Sequence, residues 1–539
     1  MSATDTEPLT FEGRHRESRR RVSDNTAIFA IFTGLSRVVG LFRDSVASYL
    51  FGTSPAASAF TIASQIPNLM ANLFAQAALS AAFVPVFADL LQQGKRREAF
   101  RLASTLFWIV MIVLGAITAL GIVLAGVILP MLSGQNFDGH DAAVMTQIMF
   151  PVVLALGLTG VITGILQSYD EFSIPALAPV LWNLVIIAIM LGLRSSFGKG
   201  DGIYAYAVGW LIATVAQFVF VASALRRIDY RLDFHIDWRD PRIREVFVLM
   251  LPVTVGLGII NLDGLLNSSL GALVNTHPHG GGPRAIQLAF LVYMLPQGIF
   301  SVAVSTVLFP TLSRQAARRD ASAMRHTIGN GMRQINLLLF PSAAGLLALA
   351  TPIIRTLFEY HTFGVASLHL TSEALFWFAF SLPFAGLNLL MTRTFFALQR
   401  PWLPAKLSAI NMAVDLIVSI GLYRPLGIAG LVIGTASANI VMAYLQWRRL
   451  RIGFNGYLEG DKTLMITARI LAASVLTGLL ARFVWILVNA VVGAGVPGRF
   501  FSLGIAIAVS GGFYLWAISR MRVPEWAQIE SMLRRRLGF

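Results

Sequence analysis

Fourteen apolar runs, separated by charged or Gly/Pro breaks, constrain the fold of this 539-residue chain more than any other feature. They lie near residues 26–50, 59–90, 102–132, 142–168, 173–194, 203–225, 244–273, 284–312, 332–352, 371–398, 404–422, 425–447, 466–489 and 499–519. A run of about 20 apolar residues is what a helix needs to cross a hydrocarbon core of roughly 30 Å. Inside lipid every backbone N–H and C=O must be bonded within the segment, which a helix does and an open strand does not. The expectation is therefore an all-α polytopic membrane protein with 14 transmembrane helices. With 56% hydrophobic and 13% charged residues, a soluble globule is excluded. Cysteine is absent, which removes disulfides and thiolate chemistry.

Charge between the runs sets the expected topology. Basic clusters stand at Lys95, Arg96, Arg97 and Arg101, at Arg226, Arg227 and Arg231, at Arg314, Arg318 and Arg319, and at Arg448, Arg449 and Arg451. Each follows an even-numbered run, whereas the alternate loops Ser133–Asp141 and Asn275–Pro283 carry almost no Lys or Arg. Positive charge stays inside, so both termini are expected in the cytoplasm. The net charge of +15 is a topology signal of this kind, and no nucleic-acid partner is inferred from it. The first run lacks a short apolar core followed by a small-residue cleavage motif, so it reads as a span and not a removable signal. Residues 1–22 read as a polar, disordered cytoplasmic tail.

A faint internal repeat is also legible. Ala82–Phe83–Val84–Pro85–Val86 closes the second run and Val307–Leu308–Phe309–Pro310–Thr311 the eighth. Phe150–Pro151 to Gln167 matches Leu382–Pro383 to Gln399 in spacing. An offset of six spans keeps both copies in one orientation, so parallel six-helix lobes over 23–228 and 229–450 are expected, followed by two more helices and a basic tail over 451–539.

The first run carries Arg37, Arg43 and Asp44. A charge at bilayer depth costs roughly 2.5–3.5 kcal/mol on insertion scales, so it needs water, a partner or a ligand. Arg43 and Asp44 are adjacent, and side chains one apart do not share a helix face. A guanidinium binds phosphate through a bidentate fork and keeps its charge when partly desolvated, which favours an anionic ligand. Asn68, Asn72 and Gln76 recur every four residues along one face of the second run, either as a polar cavity wall or as interhelical bonding. Asp263 and Asp415 are lone carboxylates in apolar surroundings, read as ion ligands or structurally paired groups. Arg393 is one candidate partner for Asp415. No Walker, HExxH or GxSxG motif occurs, so neither a nucleotide-driven nor a hydrolytic machine is supported, and no cofactor or metal is inferred.

Several of these residues carry a resemblance. Ser36–Arg37–Val38–Val39–Gly40–Leu41–Phe42–Arg43–Asp44, Phe51–Gly52, Pro67–Asn68–Leu69 and Phe83–Val84–Pro85 are similar to the opening of the MurJ/MviN family, the lipid II flippases. The similarity continues through Pro296–Gln297–Gly298, Leu308 to Ser313, Pro341 to Phe358 and Phe395 to Gln399. The resemblance implies a two-lobed multidrug/oligosaccharidyl-lipid/polysaccharide exporter fold in the bacterial inner membrane, with two extra helices grooved for a lipid tail. It further implies a transporter, not an enzyme, that moves a polyprenyl-pyrophosphate-linked glycan precursor by alternating access among membrane lipids and cell-wall synthesis proteins. The family's cavity arginines on the first helix match Arg37 and Arg43, and its acid matches Asp44.

The departures fall on charge. Where the family carries an acid near the start of the second helix stands Ser58; its arginine pair corresponds to Ala71 and Asn72, and its glutamate to Gln76. The Asp-Arg pair of the eighth helix corresponds to Phe290 and Leu291, with Arg284 seven residues earlier. These losses keep two alternatives open: export of another lipid-linked glycan, and a non-transporting scaffold for cell-wall synthesis.

Overall fold

A computed structural model describes residues 32–526, except 33, 75–76, 132–138, 170, 172, 199–200, 229–232, 235–236, 238, 274–280, 401, 457, 494 and 522. The expected N-terminal tail, residues 1–22, lies outside the described residues. Among those described there is no strand. In chain order the helices are α1 (34–51), α2 (Pro55–Phe74), α3 (Ala77–Gln92), α4 (Arg96–Met131), α5 (Gly139–Met149), α6 (Pro151–Ser168), α7 (Ser173–Leu193) and α8 (Tyr204–Ser223). There follow α9 (Pro241–Leu273), α10 (Gly282–Pro296), α11 (Val302–Ala317), α12 (Ala321–Phe358), α13 (Val365–Ala397), α14 (Trp402–Gly453), α15 (Gly460–Val492) and α16 (Val496–Arg520). Ten helical segments among the described residues are long and apolar enough to cross a membrane.

Local sequence explains the breaks inside these helices. The 52-residue α14 holds both the eleventh and twelfth apolar runs, and its backbone leaves helical geometry at Gly427 (φ 57°, ψ −129°). That left-handed φ is open to glycine at little cost, and Pro425 two residues earlier removes a helix donor. Between α10 and α11 a π-helical turn, Gln297–Ser301, follows Pro296, so the expected eighth span is one rod with a local bulge. Asp320 caps α12 by accepting from the Ala323 N–H at 2.9 Å.

The chain forms two compact units. The first takes residues up to Ala47, Ile66–Ile128 and Ala143–Thr254; the second takes Ser48–Gln65, Leu129–Ala142 and everything from Val255. In the first unit α3 and α8 both pack on α6, and α7 packs on α8. Phe83, Phe87, Leu102, Leu106, Val161 and Ile165 fill its core.

In the second unit α12 is the central rod, packed by α13 and α15, with α16 against α15. Leu337 of α12 meets Ile466 and Ile470 of α15 and Tyr514 and Ile518 of α16, and the Tyr514 hydroxyl donates to the Leu337 carbonyl at 2.6 Å. The opposite side of α15 leaves Leu464, Leu479, Phe483 and Val491 exposed, which suits a helix facing acyl chains.

Candidate functional site

The charged residues of the first apolar run lie on α1, and the first unit builds a cage around one of them. Arg43 is held by groups from α7 and α8. Its Nη1 donates to Asn183 Oδ1 at 2.9 Å, and its Nη2 donates to Asp44 Oδ2 at 2.6 Å. The guanidinium lies 5.2 Å from the Trp182 ring and 6.0 Å from Trp210. Asp44 is 4% exposed and also accepts from the Tyr206 hydroxyl at 3.4 Å. Adjacent residues do not share a helix face, yet Arg43 and Asp44 pair because the arginine side chain is long enough to curl back to its neighbour's carboxylate.

The cage walls are themselves braced. Trp182 Nε1 donates to Thr214 at 2.9 Å, Asn183 Nδ2 donates to the Pro179 carbonyl at 2.8 Å, and the two tryptophan rings meet edge to face at 5.3 Å. Tyr206, Trp210 and Thr214 are spaced four apart along α8 and so present one stripe. A cation against aromatic faces in a water-poor site contributes about 2 kcal/mol, and the charge-assisted bonds add to that. Trp182, Asn183, Tyr206 and Trp210 were not singled out in the sequence, although the four-residue spacing on α8 is visible there.

Arg37 contrasts with Arg43. It is exposed on α1, and among the described residues no carboxylate or hydrogen-bond acceptor engages it. Of the polar face of the second run, Asn68 is half-buried on α2. The Asn72 side chain and Gln76 lie outside the described residues.

The second unit bonds its buried Asp415 from within. Asp415, 1% exposed on α14, accepts from Asn267 Nδ2 of α9 at 2.8 Å, from the Ser419 hydroxyl at 2.9 Å and from the Thr435 hydroxyl at 3.2 Å. A Cβ at Gly434 would stand 2.0 Å from Ser419 Oγ, so only glycine lets the two halves of α14 close on this knot. Arg393, one candidate partner of Asp415, instead places its guanidinium 5.8 Å from the Phe309 ring. The Asp263 side chain lies outside the described residues. Arg284 is 2% exposed and donates to Gln287 Oε1 at 2.7 Å, an oxygen that also accepts from Thr61 at 3.0 Å.

A family model described as lipid II flippase MurJ matches residues 47–506, most of the chain. The chain belongs to the MurJ lipid II flippase family. The Ser36–Asp44 motif precedes that match, so the motif and the family model are separate lines of similarity. The lipid II flippase MurJ of Burkholderia cenocepacia is 30% identical over 432 residues, covering 78% of this chain and 82% of the relative. The probable lipid II flippase MurJ of Haemophilus influenzae is 29% identical over 470 residues, covering 83% and 89%. A solved lipid II flippase MurJ in an inward closed conformation shares the fold with a TM-score of 0.73 at 23% identity, over 95% of this chain and all of that one. An inward-facing multidrug transporter of the MATE family is similar at a TM-score of 0.64 and 14% identity, over 80% and 95%. As a MurJ family member the chain is a multi-pass inner-membrane transporter and not a catalyst.

Proposed function

We propose that this protein carries undecaprenyl-pyrophosphate-linked peptidoglycan precursor, lipid II, from the cytoplasmic to the outer leaflet by alternating access. The observation that carries the reading is Arg37, an exposed guanidinium with no partner among the described residues, on the helix whose motif resembles the family's opening. Arg37 would take the pyrophosphate, while Asn68, Asn72 and Gln76 offer hydrogen bonds to sugar or peptide. Arg43 and Asp44 act beside it as a fixed pair that holds α1 to α7 and α8, since both Nη groups of Arg43 are already engaged. Complementation of a bacterium depleted of its own lipid II flippase tests the reading. Growth restored by the wild-type chain supports it, and failure of a well-expressed chain overturns it.

One observation favours a second reading, export of a different lipid-linked glycan. Phe290 and Leu291 stand where the family resemblance puts an Asp-Arg pair, and Phe290, 42% exposed, stacks on Tyr293 and lies 5.6 Å from Phe378, so an apolar surface replaces the acid and its anchoring cation. Exchange of undecaprenyl-linked substrates in a reconstituted flipping assay separates the two.

Fourteen spans in two parallel six-helix lobes, 23–228 and 229–450, plus α15 and α16, is the proposed architecture, with both termini cytoplasmic. The alternating loop charge and the break in α14 at Gly427 support it. Single cysteines at Gly139 and Arg97 are expected to label from opposite faces of the membrane; labelling from one face sinks the topology.

With no nucleotide motif, the drive is proposed to be the membrane potential or an ion gradient, one charge across 100 mV being worth about 2.3 kcal/mol. Asp415, with two hydroxyls and an amide around it, is the proposed coupling carboxylate, and Asp263 the second. Asp415→Asn is expected to remove the dependence of flipping on an imposed ion gradient. Unchanged gradient dependence leaves Asp415 as a structural knot.

A further inference from the structure

A cavity of about 750 Å³ opens between α12, α13 and α15, within the second unit and apart from the residues assigned above. Its polar lining comes from Arg355, His369, Glu373 and Arg482, and Phe376 and Leu479 form an apolar lip. Leu479 is 65% exposed, and His369, Glu373 and Arg482 are exposed as well. Charged groups therefore stand on a surface whose other residues face acyl chains.

Depth makes this unusual. The 33-residue α15 is about 50 Å long, so a centred helix extends roughly 10 Å past each side of a 30 Å core. Arg482 lies about 15 Å before the helix end at Val492, which puts it about 5 Å inside the hydrocarbon boundary. Glu373 sits about 12 Å along α13 from Val365, at a similar level. Among the described residues Arg482 has no carboxylate at ion-pair distance; its guanidinium lies 5.0 Å from the Trp485 ring. Arg355 does have one, Glu359 at 2.9 Å, but Arg499 shares the same oxygen at 3.2 Å, leaving that trio one positive charge in excess.

We propose that this cavity holds the headgroup of a zwitterionic phospholipid of the phosphatidylethanolamine class. Its phosphate sits against Arg482 and Arg355, and its ammonium sits against Glu373, with the acyl chains leaving past Phe376 and Leu479. Guanidinium groups match a phosphate diester in charge and geometry. Glu373 decides against a pyrophosphate or a purely anionic headgroup, because a carboxylate facing such an occupant repels it, whereas an ammonium turns the same group into a contact. His369, one turn before Glu373 on the same helix face, supplies a further hydrogen-bonding group at the mouth. Under the topology proposed above, the site belongs to the outer leaflet, at the end of α12 opposite the basic stretch Arg314–Arg325.

The test uses the full-length protein in mild detergent and native mass spectrometry, with phosphatidylethanolamine, phosphatidylglycerol and undecaprenyl phosphate as separate probes. The wild type is expected to retain phosphatidylethanolamine about tenfold better than either anionic lipid, the scale of one well-made ionic contact. Arg482→Gln is expected to lower that retention about tenfold, and Glu373→Gln to erase the preference over phosphatidylglycerol. Photo-crosslinking of the wild type with a headgroup-tagged phosphatidylethanolamine should place adducts in Val365–Phe376 and in residues 478–482, a readout independent of whether either variant folds. Equal or better retention of phosphatidylglycerol or undecaprenyl phosphate by the wild type, or adducts only elsewhere, overturns the assignment. Lipid retention in detergent depends on neither orientation nor flipping, so failure here leaves the transport reading intact, and failure of complementation leaves this site intact.

Discussion

Arg37→Ala is expected to abolish transport while leaving the protein folded and inserted. The group is exposed on α1, so its removal takes away no hydrogen bond or ion pair among the described residues and lifts the cost of holding a charge at membrane depth. What disappears is the counter-charge for a pyrophosphate. Losing roughly 3 kcal/mol of charge-assisted bonding corresponds to about 100-fold in rate. Arg37→Lys should recover part of that, since an ammonium keeps the charge without the planar fork. The measurement is flipping in proteoliposomes with expression-matched variants. Full activity of Arg37→Ala removes this residue as the anchor, and a misfolded Arg37→Ala shows that its role is structural. Arg43→Ala supplies the contrast: it takes the guanidinium at 2.6 Å away from Asp44, which is 4% exposed, at about 3–5 kcal/mol, and should appear first as lost folded protein.

That contrast between two arginines six positions apart marks how far the sequence could be read. Both were recognisable as charges inside an apolar run, and both matched a family motif. That Asp44 could balance Arg43 was legible from their adjacency, but the rest of the cage was not, because Asn183 of α7 lies 140 residues from Arg43 and Tyr206 of α8 lies 162 residues from Asp44. Periodicity reports the face of one helix; it does not report which face of another helix meets it. Asp415 shows the same limit. Its partner Ser419 one turn away is a local pattern, but Asn267 is 148 residues distant, and Arg393, the candidate cation, faces Phe309. Apolar runs transferred well by comparison, since the demand that backbone groups bond within the segment is itself local. The break in α14 was visible for the same reason, as Arg-Pro-Leu-Gly carries its own backbone instruction at Gly427.

The clearest feature missed in the sequence leads to the second large effect, which is on stability. Arg333 of α12 is 2% exposed and donates through Nε to Glu525, itself 2% exposed, and through Nη1 to Glu459 at 2.8 Å. Glu459 in turn bonds His326 at 2.9 Å. Glu525 follows the last apolar run and lies 192 residues from Arg333, so nothing local announced the pair. The network ties the segment after α16 and the start of α15 to α12, and Val523 packs into the same cluster as Leu337 and Ile470. Arg333→Ala leaves a buried carboxylate without a counter-charge and should cost about 3–5 kcal/mol, read as a lower unfolding temperature in detergent and a reduced folded yield.

Replacing both ends of the pair, Arg333→Met with Glu525→Met, should recover most of that loss, because a well-packed apolar pair avoids the desolvation of two charges. Glu459 then keeps its bond to His326 and, being partly exposed, its hydration. Acid should weaken the intact network by a separate route. Burial alone would raise the Glu459 carboxyl, but the bonds from His326 and Arg333 outweigh it and hold the group below its ordinary value. A depressed folded pKa stabilises at pH values above the unfolded one, about 4.3, and that stabilisation is lost as pH falls through the folded value. Unfolding temperature should therefore fall below about pH 4 in the wild type and fall less steeply in Glu459→Gln. A wild-type unfolding temperature for Arg333→Ala at neutral pH would mean that the segment after α16 is held by its apolar contacts alone.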